Sequence, residues 1–283
     1  MSPTLLITGA SGYLGGELAR QAYAAGWHVV GTYWRGPLAL EGVHWQRLDV
    51  RDRAAVAACV ATARPDVVVH AAVAEPNDWT VNADGSAHVA LAARAQGSRL
   101  VHMSSDAIFS GTHGLYDEAA VPEPLMPYGA AKAAAETAVQ AIMPEAAIVR
   151  TSLIVGARPY KHVQMVLDLV TGKRTGALFT DEIRCPILVE NLAAALLELL
   201  EHPYSGVLNI AGADALSRYE LGVLIARRWG YDSARLRATT TTDSGMRRPT
   251  DVRLDIHRAQ TLLNTPLQGA RGFIAALNIE HAA

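Results

Sequence analysis

Two alternating rhythms of apolar residues run through the first half of the chain. Short β-branched runs at 4–8, 28–33, 43–48, 66–71, 99–104 and 146–151 predict strands. Between them, at 12–25, 52–63, 81–96 and 127–142, apolar residues (largely alanine) recur at helical spacing. Asp52 suits a helix N-cap, and Pro65 marks where that helix stops. The run 66–71 is apolar at nearly every position, as in a strand covered on both faces. Strand–helix alternation over this length predicts an α/β fold of Rossmann type, a doubly wound parallel sheet with helices on both sides. Right-handed crossovers then bring the strand ends to one ligand-binding edge.

Beyond Gly156 the rhythm loosens. Helices are predicted at 162–171, 189–201, 217–229 and 255–263, separated by segments rich in Gly, Pro and charge. The reading divides the chain into a first domain over 1–156 and a smaller substrate-binding lobe over 157–283. A segment at about 187–202 is expected to return to the first domain. The polar run 239–242 suits a mobile loop.

Composition narrows the function classes. Hydrophobic residues make up 50% of the 283, enough for a substantial core, and a net charge of −2 offers no basic surface for nucleic acid. The two cysteines, Cys59 and Cys185, have no CxxC spacing, which argues against a disulfide framework or a structural metal site. No basic leader precedes a long apolar stretch and no apolar run is long enough for a bilayer, so the expectation is a cytoplasmic enzyme without membrane contact.

The first strand–helix junction reads Thr8-Gly9-Ala10-Ser11-Gly12-Tyr13-Leu14-Gly15. Glycine is needed where backbone turns tightly and approaches a pyrophosphate, and the following helix offers free N–H groups to the anion. Gly9, Ser11, Gly12, Tyr13, Leu14 and Gly15 are therefore candidates to hold a dinucleotide. Asp49, ending the third strand, can accept from an adenine amino group or can simply cap the strand end. The segment after the second strand, Thr32-Tyr33-Trp34-Arg35, has no acid to grip ribose hydroxyls; Arg35 can pair with a 2′-phosphate or be a solvated loop charge. The pattern favours NADP(H) over NAD(H).

Tyr128 and Lys132 stand four apart on a predicted helix and share a face. The chain has nine tyrosines but only three lysines, Lys132, Lys161 and Lys173, so a chance YxxxK is uncommon. A nearby ammonium is expected to lower the phenol's pKa toward the working range. Ser105, at the end of the fifth strand, can polarise a substrate carbonyl, with Ser104 as the alternative.

TGASGYLG, Leu48-Asp49-Val50, His70-Ala71-Ala72, MSSDAIFSG and YGAAK occur in the order found in extended short-chain dehydrogenases/reductases. With Arg184-Cys185-Pro186 and Arg248-Pro249-Thr250-Asp251 further on, the chain resembles the dTDP-4-dehydrorhamnose reductase-like branch over nearly its whole length. The resemblance implies an NAD(P)-binding first domain and a catalytic set of Ser105, Tyr128 and Lys132. Val50, Ala71, Ala72, Tyr128 and Lys132 would also line the cofactor, and Asn82 would steady the central strands, its alternative being a helix N-cap. Substrate contacts are expected from Ser105, Asp106, Arg184 and Arg248, with Arg247 a further candidate for a nucleotide diphosphate. Departures from the family's STDYVFDG include Ala107 in place of the tyrosine and Ser110 in place of the acid, and Asp106-Ala107 lacks the Asp-Glu of the dehydratases.

These features imply an NAD(P)H-dependent reductase of a keto carbon, in a nucleotide-linked deoxy-keto-sugar. A sugar-nucleotide epimerase with tightly bound NAD and a non-catalytic, cofactor-binding regulatory subunit are the alternatives. A small-molecule substrate is the expected partner, and a homodimer is left open.

Overall fold

The computed structural model describes residues 2–74 and 77–279 of the chain. Seven parallel strands form one sheet: β1 (Thr4–Thr8), β2 (His28–Tyr33), β3 (Val43–Arg47), β4 (Val67–His70), β5 (Arg99–Ser105), β6 (Ala147–Thr151) and β7 (Gly206–Asn209). Their order is β3-β2-β1-β4-β5-β6-β7. The winding reverses between β1 and β4, which opens a crevice at the carboxyl ends of those strands.

The six strands expected from the sequence are present, each within one residue of its predicted ends. β7 is an addition. Its four residues between Gly206 and Asn209 carry too short a pattern to stand out, and it forms by pairing with β6.

The principal helices are α1 (Tyr13–Ala24), α2 (Arg53–Ala63), α3 (Gly85–Gln96), α4 (Pro127–Ile142) and α6 (Val189–Glu201), which cover the strands, and α5 (Lys161–Val170) and α7 (Arg218–Arg228), which do not. Asp52 caps α2 by accepting from the backbone N–H groups of Ala54 and Ala55. α3 is preceded by a π-helical turn, Thr80–Asp84.

The period-2 alternation sorts the sheet's side chains. Leu5, Ile7, Val69, Val101 and Val149 pack with α1 and α6 on one face, while Leu6, Val68, Leu100 and Ile148 pack with α2, α3 and α4 on the other. α6, although late in the chain, thus shares the core of the first half, and a separate cluster from α5, α7 and Phe273 forms the smaller lobe's core.

That lobe is built from very short strands. Ile183–Arg184 pairs with Leu216–Ser217, and Leu178–Phe179 with Ala238–Thr239. The polar run 239–242, expected as a mobile loop, is anchored instead. Thr239 lies in a strand, and the backbone N–H and hydroxyl of Thr241 both donate to Asp181. Among the described residues no helix is long and apolar enough to cross a membrane.

Candidate active site

The glycine turn is built for close approach. Gly9 has φ +75°, and a Cβ there would lie 2.6 Å from Cα of Ala72, while one on Gly15 would lie 2.3 Å from the carbonyl oxygen of Gly9. No side chain caps α1 at Gly12, so the first-turn N–H groups of Tyr13, Leu14 and Gly15 have no helical partner. Ser11 sits in the same turn. This is the cradle a pyrophosphate requires, and the residues present fit the dinucleotide that the sequence implies. Tyr13 contributes through its backbone; its side chain stacks on Tyr160 and donates to the carbonyl of Arg158. Ala71 and Ala72 form the opposite wall, the Ala71 N–H donating to the carbonyl of Thr8.

Just after β3, Asp49 is held in a fork by Arg51, at 2.7 to 3.0 Å, and that partner lowers its carboxyl pKa. Val50 is buried and its carbonyl accepts from His88. Arg35 is exposed and, among the described residues, makes no ion pair. Close by in the chain, Trp34 carries the guanidinium groups of Arg47 and Arg51 over its ring, at 5.0 and 5.5 Å. Arg47 and Arg51 escaped the sequence reading because they lie outside the glycine motif.

The catalytic candidates come together where β5 meets α4. Ser105 ends β5, and its hydroxyl accepts from the Ala107 N–H at 3.2 Å. α4 approaches this turn so closely that a Cβ on Gly129 would lie 2.0 Å from the carbonyl oxygen of Ala107. That contact brings the neighbouring Tyr128 beside Ser105, whose hydroxyl lowers the phenol's pKa. Ser104, the alternative, is buried with no hydrogen-bond partner for its hydroxyl among the described residues.

Burial and the Asp106 charge outweigh Ser105 and push the Tyr128 phenol up to about 12. Lys132, expected to lower it, is itself buried, which pushes its ammonium down to about 8 against the pull of Glu136. The phenol of the chain alone is therefore a firmly held proton. Lys132 Nζ lies 3.5 Å from Nε2 of His102, and Glu136, one turn on, pairs with Arg150 of β6 at 2.8 Å with both side chains buried. Neither His102 nor this ion pair stands out in the sequence, since each depends on strand register.

Asn82 lies in the π-helical turn rather than at a helix N-cap, and its Oδ1 accepts from the Ala74 N–H at 3.1 Å. It ties that turn to the segment following β4.

On the side of the smaller lobe, Asp106 accepts from Ser152 at 2.6 Å and lies 3.8 Å from Arg184. Arg184 is buried and donates to the carbonyls of Ile183, Thr250 and Pro249. Arg248 pairs with the buried Glu182 and keeps about a third of its side chain exposed, at 35%. Arg247 is exposed. The guanidinium groups of Arg184 and Arg248 are thus already engaged within the chain. Two residues missed in the sequence join them: Arg218, at the start of α7, donates to Nδ1 of His162 at 3.2 Å. Burial first, then the Arg218 and Lys161 charges, push His162 down to about 3, so it accepts as a neutral ring. The capping box of Ser217 and Glu220 announces the helix start that positions Arg218.

The RmlD substrate binding domain model matches residues 3–278. The chain is 33% identical over 260 residues to a dTDP-4-dehydrorhamnose reductase of Mycobacterium tuberculosis (strain CDC 1551 / Oshkosh), covering 85% of this chain and 80% of that protein. It is 30% identical over 281 residues to the mouse methionine adenosyltransferase 2 subunit beta, covering 92% and 83%. A solved structure of a hypothetical dTDP-4-dehydrorhamnose reductase from Sulfolobus tokodaii superimposes with a TM-score of 0.81 at 29% identity, covering 95% of this chain and 97% of that one. With a glycine cradle at β1, a Ser–Tyr pair at β5 and a family match spanning nearly every residue, the chain belongs to the RmlD substrate binding domain family, within the dTDP-4-dehydrorhamnose reductase-like extended short-chain dehydrogenases/reductases.

Proposed function

We propose that this protein is an NADPH-dependent reductase of a keto carbon in a nucleotide-linked deoxy-keto-sugar. The observation that carries this reading is the close approach of α4 to the end of β5, which sets Tyr128 beside Ser105, one helical turn from a buried Lys132 and on the same sheet edge as the Gly9 turn. A nicotinamide cofactor held at that turn supplies a hydride. Ser105 donates to the substrate's carbonyl oxygen, and Tyr128 gives that oxygen its phenolic proton as negative charge develops. A phenol held near 12 keeps its proton at neutral pH and releases it only to a stronger base, as an alkoxide is. That property suits the reductive direction. Lys132 orients the ribose and supports the phenol as it loses its proton.

NADPH is favoured over NADH because positive charge gathers beside Asp49, the acid that follows β3. Asp49 is neutralised by Arg51, and Arg35 and Arg47 add positive charge there. On the substrate side, Arg248 and Arg218 supply guanidinium groups for a diphosphate, while Arg184, fixed by three carbonyls, shapes the pocket and holds Asp106. The match to the dTDP-sugar reductase of M. tuberculosis supports a nucleotide-linked sugar.

The likeness to the mouse adenosyltransferase subunit favours a second reading, a cofactor-binding subunit of another enzyme. Purified protein incubated with NADPH and a panel of nucleotide-linked keto-sugars separates the readings. The reductase oxidises NADPH in proportion to alcohol formed. Cofactor binding without oxidation across the panel supports the subunit, and protein that emerges with stoichiometric bound NAD and interconverts sugars is an epimerase.

A further inference from the structure

The sheet face beneath α3 and α4 is apolar until its last rung. Leu6, Val68 and Leu100 are side by side there, and two residues on, the register sets Thr8, His70 and His102 abreast. His70 and His102 are almost wholly buried and stack at 5.4 Å. A leucine at 102 would continue the apolar row at no polar cost. The histidine instead leaves Nδ1 buried without a hydrogen-bond partner among the described residues.

The roles of the two rings differ. His70 is held at both ends, Nδ1 by the Thr8 hydroxyl at 2.6 Å and Nε2 by the Ser86 hydroxyl at 3.1 Å. Ser86 donates to the Asn82 carbonyl, so Nε2 of His70 donates to Ser86 and Nδ1 accepts from Thr8. His70 thereby secures the π-helical turn. Among the described residues, His102 has one contact on its polar atoms, the Lys132 ammonium at Nε2. An ammonium only donates, so Nε2 presents its lone pair and the ring proton sits on Nδ1.

We propose that His102 is a positioning residue for Lys132, a neutral imidazole whose Nε2 lone pair receives the ammonium and holds it one turn from Tyr128. Other groups facing Lys132 leave this task open. Glu136, on the same helix, is committed to Arg150, and His70 is committed to Thr8 and Ser86. Burial first, then the Lys132 charge, keep His102 well below its ordinary pKa, so it accepts and does not compete for the proton.

An acceptor for the ammonium stabilises the charged amine, opposing the burial that drives Lys132 down to about 8. The proposal's consequence for turnover rests on the reductase reading; the contact itself does not. The test is accordingly made without substrate, on full-length protein carrying isotope-labelled lysine, by NMR titration. Three lysines make the assignment simple. His102→Leu is expected to lower the Lys132 pKa further, by about one unit, the size of one charge-assisted hydrogen bond. His102→Gln, whose side-chain oxygen reaches the place of Nε2, is expected to restore the wild-type value.

An unchanged titration in His102→Leu, or an equal shift in His102→Leu and His102→Gln, would overturn the proposal and leave His102 as a space-filler. Should the leucine variant fail to fold, the wild-type imidazole nitrogens decide. A neutral Nδ1–H ring across the range where free histidine titrates is expected, and an Nε2–H ring or a titrating one overturns it. If the sugar panel yields no turnover while this titration behaves as described, the reductase reading fails and the contact stands.

Discussion

The two sides of the site are made in different ways. The cofactor side rests on seven parallel strands and the long helices α1 to α4, with apolar rows on both sheet faces and buried polar groups gathered toward the carboxyl ends of the strands, at Thr8, His70, His102, Ser104 and Arg150. The substrate side rests on two-residue strands and on charges that hold one another: Glu182 with Arg248, Asp106 with Ser152 and Arg184, Arg218 with His162. Rigid, regular backbone fixes the atoms that react. In the proposed reading, the side that selects the substrate is held by side-chain contacts that a few substitutions can rewrite. The chemistry is thus the sturdier part of this molecule and the specificity the more adjustable one.

The largest break in that contrast is expected at the Arg150–Glu136 pair, which ties α4 to β6 from inside the regular half. Glu136→Ala leaves Arg150 buried without its carboxylate and is predicted to cost about 3–5 kcal/mol in urea unfolding. Arg248→Ala, which leaves Glu182 behind, is the matching break in the lobe and is predicted to cost less, because Arg248 is partly exposed.

Next comes Tyr128→Phe, predicted to lower turnover by at least about a hundredfold with NADPH affinity nearly unchanged. Steady-state kinetics beside a cofactor titration check both halves of that statement. Arg218→Ala and Arg35→Ala then separate the two sides. The first is predicted to raise the sugar-nucleotide KM about tenfold with NADPH unaffected, and the second to raise the NADPH KM by a similar factor while leaving NADH use as it was.

The smallest effect is electrostatic. Asp106 helps to hold the Tyr128 phenol above its ordinary pKa, so removing its charge lets that pKa fall. In Asp106→Asn the alkaline limb of the kcat/KM profile, where the phenol loses its proton, is predicted to move to lower pH. Asp106 itself is raised by burial, so its contribution to stability is present at low pH and is lost as pH rises through its folded-state pKa. The asparagine variant is therefore predicted to lose less stability than wild type over that rise, measured by denaturant titration at a series of pH values.

Legibility in the sequence followed the same division. β1 to β6 and α2 could be read because their periods are regular and their caps local, as at Asp52. The glycine turn and the Tyr128–Lys132 spacing are local too. β7 was invisible because four residues acquire strand character only through β6, and the π-helical turn at Thr80–Asp84 leaves no period of its own. The run 239–242 looked like loose loop because its anchor, Asp181, lies 60 residues away. For the same reason the reading found Arg184 and Arg248 but not their engagement with Pro249, Thr250 and Glu182, nor the approach of His162 to Arg218.

The most direct measurement follows the hydride itself. Protein supplied with NADPH deuterated at the transferable position is incubated with a nucleotide-linked 4-keto-6-deoxy-sugar, and the product is weighed by mass spectrometry. One deuterium per product molecule, bound to the former keto carbon and matched by one oxidised cofactor, is the predicted result. A sugar recovered without deuterium from protein that demonstrably binds the cofactor contradicts it.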